Sequence, residues 1–179
     1  CAPPWTLPFL EFANGRGPAV AAAREHVMNT RPFAVASSIL LSLGLTAQTW
    51  TYPLHPRAGF HRANNDSQQP PLVLDLVSMG IVPGQWLRVG TTGGFSWVGG
   101  GADTQQSLVG VFSGSATLLA ASFQHRVVDA IGAGPSFPSP GTWFGSLPMD
   151  IEEDFFCSRQ GWDSSVVVPV PPGATHLFL

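Results

Sequence analysis

Apolar and polar positions alternate with a period of two in Trp86-Leu87-Arg88-Val89, the mark of a strand with one buried face. Leu87 and Val89 share one side, and Trp86 and Arg88 the other. Pro83-Gly84 stands just before this strand as a turn, with proline presetting φ and glycine taking the positive φ that follows. The device recurs at Val170-Pro171-Pro172-Gly173, which launches Ala174 to Leu179. Further short apolar runs, separated by glycine or proline, predict strands at 72–77, 85–90, 94–98, 107–112, 116–123, 125–130, 164–170 and 174–179. Val109 and Val111 fall on one face of their strand, and Leu108, Gly110 and Phe112 on the other. This spacing predicts an all-β fold, an antiparallel β-sandwich, over 72–179. Residues 132–163 read as a long irregular region, and a loop of that length is often functional.

The segments upstream carry different patterns. Met28 to Pro32 is short and positive, Phe33 to Leu45 is apolar, and Thr46-Ala47-Gln48 follows with small and polar residues. That order describes a secretory signal peptide over 28–47, with cleavage after Ala47. The apolar run is too short to cross a bilayer comfortably, so no stable membrane span is expected after cleavage. Residues 1–27 then read as translated leader without structure. Residues 48–71 are polar and broken by Pro53, Pro56 and Asn64 to Pro71, which reads as a linker. The expected location is extracellular or periplasmic.

Composition narrows the picture. The chain has 179 residues, 44% hydrophobic and 11% charged, enough for one domain with a core. Glycine (20) and proline (17) favour turn-rich β structure over helix. Every basic residue is arginine, and the net charge of −3 argues against a nucleic-acid surface. Cys157 alone falls in the expected mature part; it is either free or paired past Leu179, and one cysteine does not make a disulfide framework.

Candidate chemistry is sparse. Asp103, Gln105 and Gln106 follow a triple glycine between two strands, and their carboxylate and amide groups suit hydroxyl recognition. An ordinary polar loop is the competing reading. Trp143 and Trp162 lie in loop-like sequence, where an indole face can cover the apolar face of a sugar ring; Trp86 and Trp97 read as packing. Asp150, Glu152, Glu153 and Asp154 form a dense carboxylate run. Calcium takes six to eight oxygens, so the run is a candidate metal site, although it lacks EF-hand spacing and a solvated acidic loop competes. His55 and His61 have too few ligands near them in sequence for a metal centre. Ser113, Ser115, His125 and Asp129 are the parts a hydrolase would need. No nucleophile elbow or zinc motif surrounds them, and in a strand His125 and Asp129 would stand about 13 Å apart. No enzyme is expected.

Several of these pieces together resemble a known family. The matching parts are Pro83-Gly84 with the strand Gln85 to Val89, the strand Gly94 to Trp97, Ser107 to Phe112, and Val170 to Leu179. As a set, across roughly 72–179, they resemble the small calcium-dependent, galactose-binding bacterial lectins of the galactophilic lectin-I type. A broader set of exported bacterial proteins shares that domain. The resemblance implies a jelly-roll-like sandwich with a sugar site at one end, and calcium as a cofactor. It implies that the turn before the Pro-Gly strand gives the metal a backbone carbonyl near Ile81. It places the other metal ligands on a loop after the strand that ends here at Leu179, so the sequence is expected to be a fragment lacking its C-terminal end. In the lectins the sugar-contacting segment carries histidine and glutamine; here Gly101 to Leu108 keeps the glutamines and has no histidine. The expected partners are glycans or cell-surface polysaccharide. A structural or adhesive cell-envelope module without a small ligand is the alternative.

Overall fold

The computed structural model describes residues 48–55, 57–62, 69–92, 107–137, 139–141, 143–144, 147–148, 151–159 and 164–179. The expected leader and signal peptide, and the strand expected at 94–98, lie outside them. The described residues form strands and turns and no helix. In chain order the strands are β1 (Val73–Asp75), β2 (Trp86–Gly90), β3 (Leu108–Ser113), β4 (Ala130–Ile131), β5 (Trp143–Phe144), β6 (Leu147–Pro148), β7 (Phe155–Ser158), β8 (Ser165–Pro169) and β9 (His176–Phe178). One sheet runs β1-β9-β3-β4, with β7 also paired to β3; β2 pairs β8, and β5 pairs β6. Every strand pairing is antiparallel.

The two proline-glycine turns form as their sequence requires. Gly84 has φ +86° and Gly173 φ +84°, a region closed to most residues with a Cβ. The Gly84 N–H donates to the Val170 carbonyl, and the Val170 N–H to the Gln85 carbonyl, so the first turn is locked to the end of β8. From there Leu87 pairs Val168 and Val89 pairs Val166, while Arg88 faces outward opposite Val167.

Alternation in β2, β3 and β9 then builds the core. Leu74, Leu87, Val89, Leu108, Phe112, Phe155, Val168, Leu177 and Leu179 are buried in one cluster fed by the five-stranded sheet and by the β2–β8 pair, an arrangement consistent with a β-sandwich. Val111 and Phe178, paired across β3 and β9, point the other way into a second cluster with Phe60, Val127 and Ile151. The β3–β9 pair is therefore buried on both faces, and the expected split of Val111 from Leu108 and Phe112 is observed.

Four expectations need correction. Residues 116–123 are not a strand. The Ser115 N–H donates to Ser113 Oγ and the Thr117 N–H to Ser115 Oγ, so hydroxyls capture the backbone that a ladder would need. Only an isolated bridge, Leu118 to Val127, remains there. Residues 125–130 reduce to that bridge and β4, interrupted by Asp129 at φ +53°. The region 132–163, expected to be irregular, contains β5, β6 and β7, and β7 sends Phe155 and Cys157 into the core. Finally, 48–71 is more than a linker. Trp50, Tyr52 and Leu54 pack against the first cluster, and Phe60 is buried in the second. Prolines and asparagines between them masked these apolar anchors.

Candidate functional site

One end of the sandwich gathers the roots of two segments. The chain leaves β2 at Thr91 and re-enters β3 at Leu108; it leaves β7 at Arg159 and re-enters β8 through Ser164. These roots are bonded to one another. The Thr91 N–H donates to the Ser164 carbonyl at 3.0 Å, and Thr91 Oγ1 lies 3.1 Å from Ser158 Oγ. The Leu108 N–H donates to the same Ser158 hydroxyl at 3.2 Å. Ser158 is buried, so a single hydroxyl ties β2, β3 and β7 together where water does not compete. Beneath the roots lies a small, mostly apolar hollow lined by Tyr52, Leu72, Gly90, Thr91, Leu108 and Leu179.

Asp103, Gln105 and Gln106 fall in sequence between Thr91 and Leu108, and Trp162 between Arg159 and Ser164. All four lie outside the described residues. Of Trp143 only the backbone, in β5, is described. The two segments that carry the expected sugar contacts thus start and finish at the same end, which linear sequence does not reveal.

The expected metal residues do not join them. Asp150 lies outside the described residues. Glu152 is exposed, Glu153 half-buried and Asp154 buried. Asp154 Oδ2 accepts from His61 Nε2 at 2.8 Å, and Oδ1 accepts from Ser139 Oγ at 2.5 Å. Its side chain has no exposure and both oxygens are engaged, so it is not available to a cation as it stands. Ile81 is buried and donates its N–H to the Leu76 carbonyl; the Leu76 N–H in turn donates to the Thr175 carbonyl. Leu179 instead exchanges backbone bonds with Leu72, at the opposite end of β9, four residues or about 13 Å along the strand from Thr175. Among the described residues no three histidine, cysteine or acidic side chains come together as a metal site.

The His61–Asp154–Ser139 cluster was not foreseen. No motif links these positions, and only folding 57–62 over the outer face of β3 and β9 brings them together. Arg126 fixes this fold from behind. Its Nη1 donates to the His61 carbonyl at 2.8 Å and its Nε to the Leu119 carbonyl at 3.1 Å. Burial pulls this guanidinium below its ordinary pKa without discharging it. The cluster is not a nucleophile with its base, because the serine donates to the carboxylate and not to the imidazole. Its geometry is that of a tie between three chain segments. Nearby, burial and then the charge of Asp154 push the Cys157 thiol well above its ordinary value, so it stays protonated and inert. Of the other groups considered, Ser113 is buried and its hydroxyl donates to backbone carbonyls of Ser115 and Val128, while His125 is exposed.

No protein-family model matches the chain, and neither curated proteins nor solved structures give a match. Among the described residues no helix is long and apolar enough to cross a membrane.

Proposed function

We propose that the chain is an exported carbohydrate-binding module, a jelly-roll-like sandwich whose glycan site lies at the end where Thr91, Leu108, Ser158 and Ser164 meet. The observation that supports it is the convergence of those roots. It anchors the segments carrying Asp103, Gln105, Gln106 and Trp162 to one rigid platform. In this reading the carboxylate and amides pair with sugar hydroxyls and the indole covers the ring's apolar face. Longer segments on a fixed scaffold are where binding residues concentrate. Calcium enters this reading through the family resemblance, not through the acidic turn at 152–154.

Retention of the purified protein on a panel of immobilised glycans tests the proposal, with calcium and with chelator. The expected result is retention that Trp162→Ala or Gln105→Ala abolishes without lowering Tm; release by chelator shows calcium assistance. A folded protein that no glycan retains refutes it and favours a structural or adhesive envelope module.

A further inference from the structure

Two arginines near the second face of the β3 sheet are used in opposite ways. Arg126 spends its donors on the carbonyls of Leu119 and His61 and acts as an internal strut. Arg159 sits at the loop root itself, one residue past the Ser158 hydroxyl that ties β2 and β3 to β7. Its guanidinium carbon lies 4.4 Å from the centroid of the Phe156 ring. That is well inside the range of a cation–π contact, and it fixes a side chain that would otherwise sample many rotamers. Among the described residues no hydrogen bond or ion pair to Arg159 is found, so there its planar fork of N–H donors is held in place and unspent.

A guanidinium prepared in this way suits one ligand chemistry. Its parallel N–H groups match the paired oxygens of a carboxylate or sulfate, and such charge-assisted bonds are about twice as strong as those to a neutral hydroxyl. Resting on the reading of this end as a glycan site, we propose that the preferred ligand is an anionic saccharide, a glycan bearing uronate or sulfate groups, and that Arg159 is its anion contact. The net charge of −3 sharpens the argument. A negatively charged protein does not gather polyanions by its overall field, so a preference for an acidic glycan has to come from a local group.

The experiment compares one polysaccharide backbone in two charge states, polygalacturonate and its fully methyl-esterified form, with a sulfated glycan as a third arm. Affinities are measured for the full chain, Arg159→Ala, Arg159→Lys and the remote surface control Arg88→Ala. The acid form is expected to bind the unaltered protein at least tenfold more tightly than the ester. Arg159→Ala should erase that preference while the ester binds as before, Arg159→Lys should restore part of it, and Arg88→Ala should change nothing. A melting curve for each variant identifies a purely structural role: a Tm loss with the acid preference intact overturns the proposal. Equal binding of acid and ester by the unaltered protein also overturns it and leaves the binding-module reading standing. Absence of binding to all three polymers by a folded protein overturns both. A preference for the sulfated arm over the uronate arm, lost in Arg159→Ala, supports the inference and names the anion.

Discussion

Breaking the contact between His61 and Asp154 tests whether the 57–62 segment is part of the folded unit. His61 Nε2 carries the hydrogen in this 2.8 Å bond whether the ring is neutral or charged, because a carboxylate only accepts. The Asp154 side chain is fully buried and the His61 side chain 17% exposed. His61→Phe keeps the ring volume, excludes water and removes the donor, stranding a buried carboxylate with Ser139 alone. Removing a donor from a buried carboxylate costs about 3 kcal/mol or more, because the acceptor left short of a partner is charged. Asp154→Ala removes the charge itself. It forfeits two hydrogen bonds to an ionised group, at about 1.5–3 kcal/mol each, but it also relieves that group's desolvation. Because Ser139 is exposed and can turn to water, the net should be about 2–3 kcal/mol. The prediction is therefore an asymmetry: the histidine substitution is the more damaging one. The double variant should cost less than the sum of the two by about 1 kcal/mol or more. Urea unfolding at pH 7 of the four proteins reads these differences as midpoint shifts at constant slope. A His61→Phe protein within about 0.5 kcal/mol of the unaltered one, or strictly additive effects, would refute the reasoning and return 57–62 to the status of a linker.

Other expectations follow from the core and its turns. Val111 is fully buried between β3 and the second cluster, so Val111→Asp should leave no cooperative melting transition by circular dichroism; an unaltered melt would show the register to be wrong. Gly110 lies under β7, where an added Cβ would stand 2.8 Å from Cys157 Sγ, so Gly110→Ala should cost about 1–3 kcal/mol in urea unfolding. An unchanged midpoint would mean that β7 is not held there. The raised Cys157 thiol gives a pH dependence. The unfolded chain loses this proton near its ordinary 9.0 while the folded one keeps it, so stability should fall above about pH 9 by up to about 1.4 kcal/mol per pH unit. The chain has no lysine and a single tyrosine, Tyr52, so few other side chains titrate in that window. Cys157→Ala should flatten the slope, and a slope unaltered by that change would sink the assignment.

Much of the β framework was legible because local rules and burial agree there. In β2 the buried Leu87 and Val89 alternate with half-buried Trp86 and exposed Arg88, and both proline-glycine turns take the positive φ their sequence prescribes. The failures have a common cause. At 116–123 the apolar residues suit a strand, but hydroxyls at Ser113 and Ser115 offered the backbone closer partners. At 155–158 the acidic run just before it suggested a solvated loop, yet Asp154 is buried by partners far away in sequence, at His61 and Ser139. Contacts across 93 and 15 positions leave no trace in a window of ten. The convergence at Ser158 was invisible for the same reason, whereas the residue types suited to hydroxyl recognition could be read directly.

The unequal ends of the sandwich indicate where ligand recognition can be placed at least cost to stability. At one end the turn before β2 is bonded to the end of β8, Gly84 to Val170 and Val170 to Gln85, which leaves little freedom. Both faces of β3 and β9 are covered by core, so a side chain changed there disturbs packing before it can meet a ligand. At the other end lies the segment 91–107 between β2 and β3, which carries Asp103, Gln105 and Gln106 in the sequence. Its roots are nonetheless fixed by Ser158 and Ser164. A long segment on immobile roots can vary its side chains while keeping their starting points within hydrogen-bonding reach of one another. Ser158→Ala separates these two properties. It should lower glycan affinity by freeing Thr91 and the Leu108 N–H, at a stability cost of about 1–3 kcal/mol for the stranded buried donor. Loss of stability with affinity unchanged would show that the roots serve the fold alone and that the site lies elsewhere.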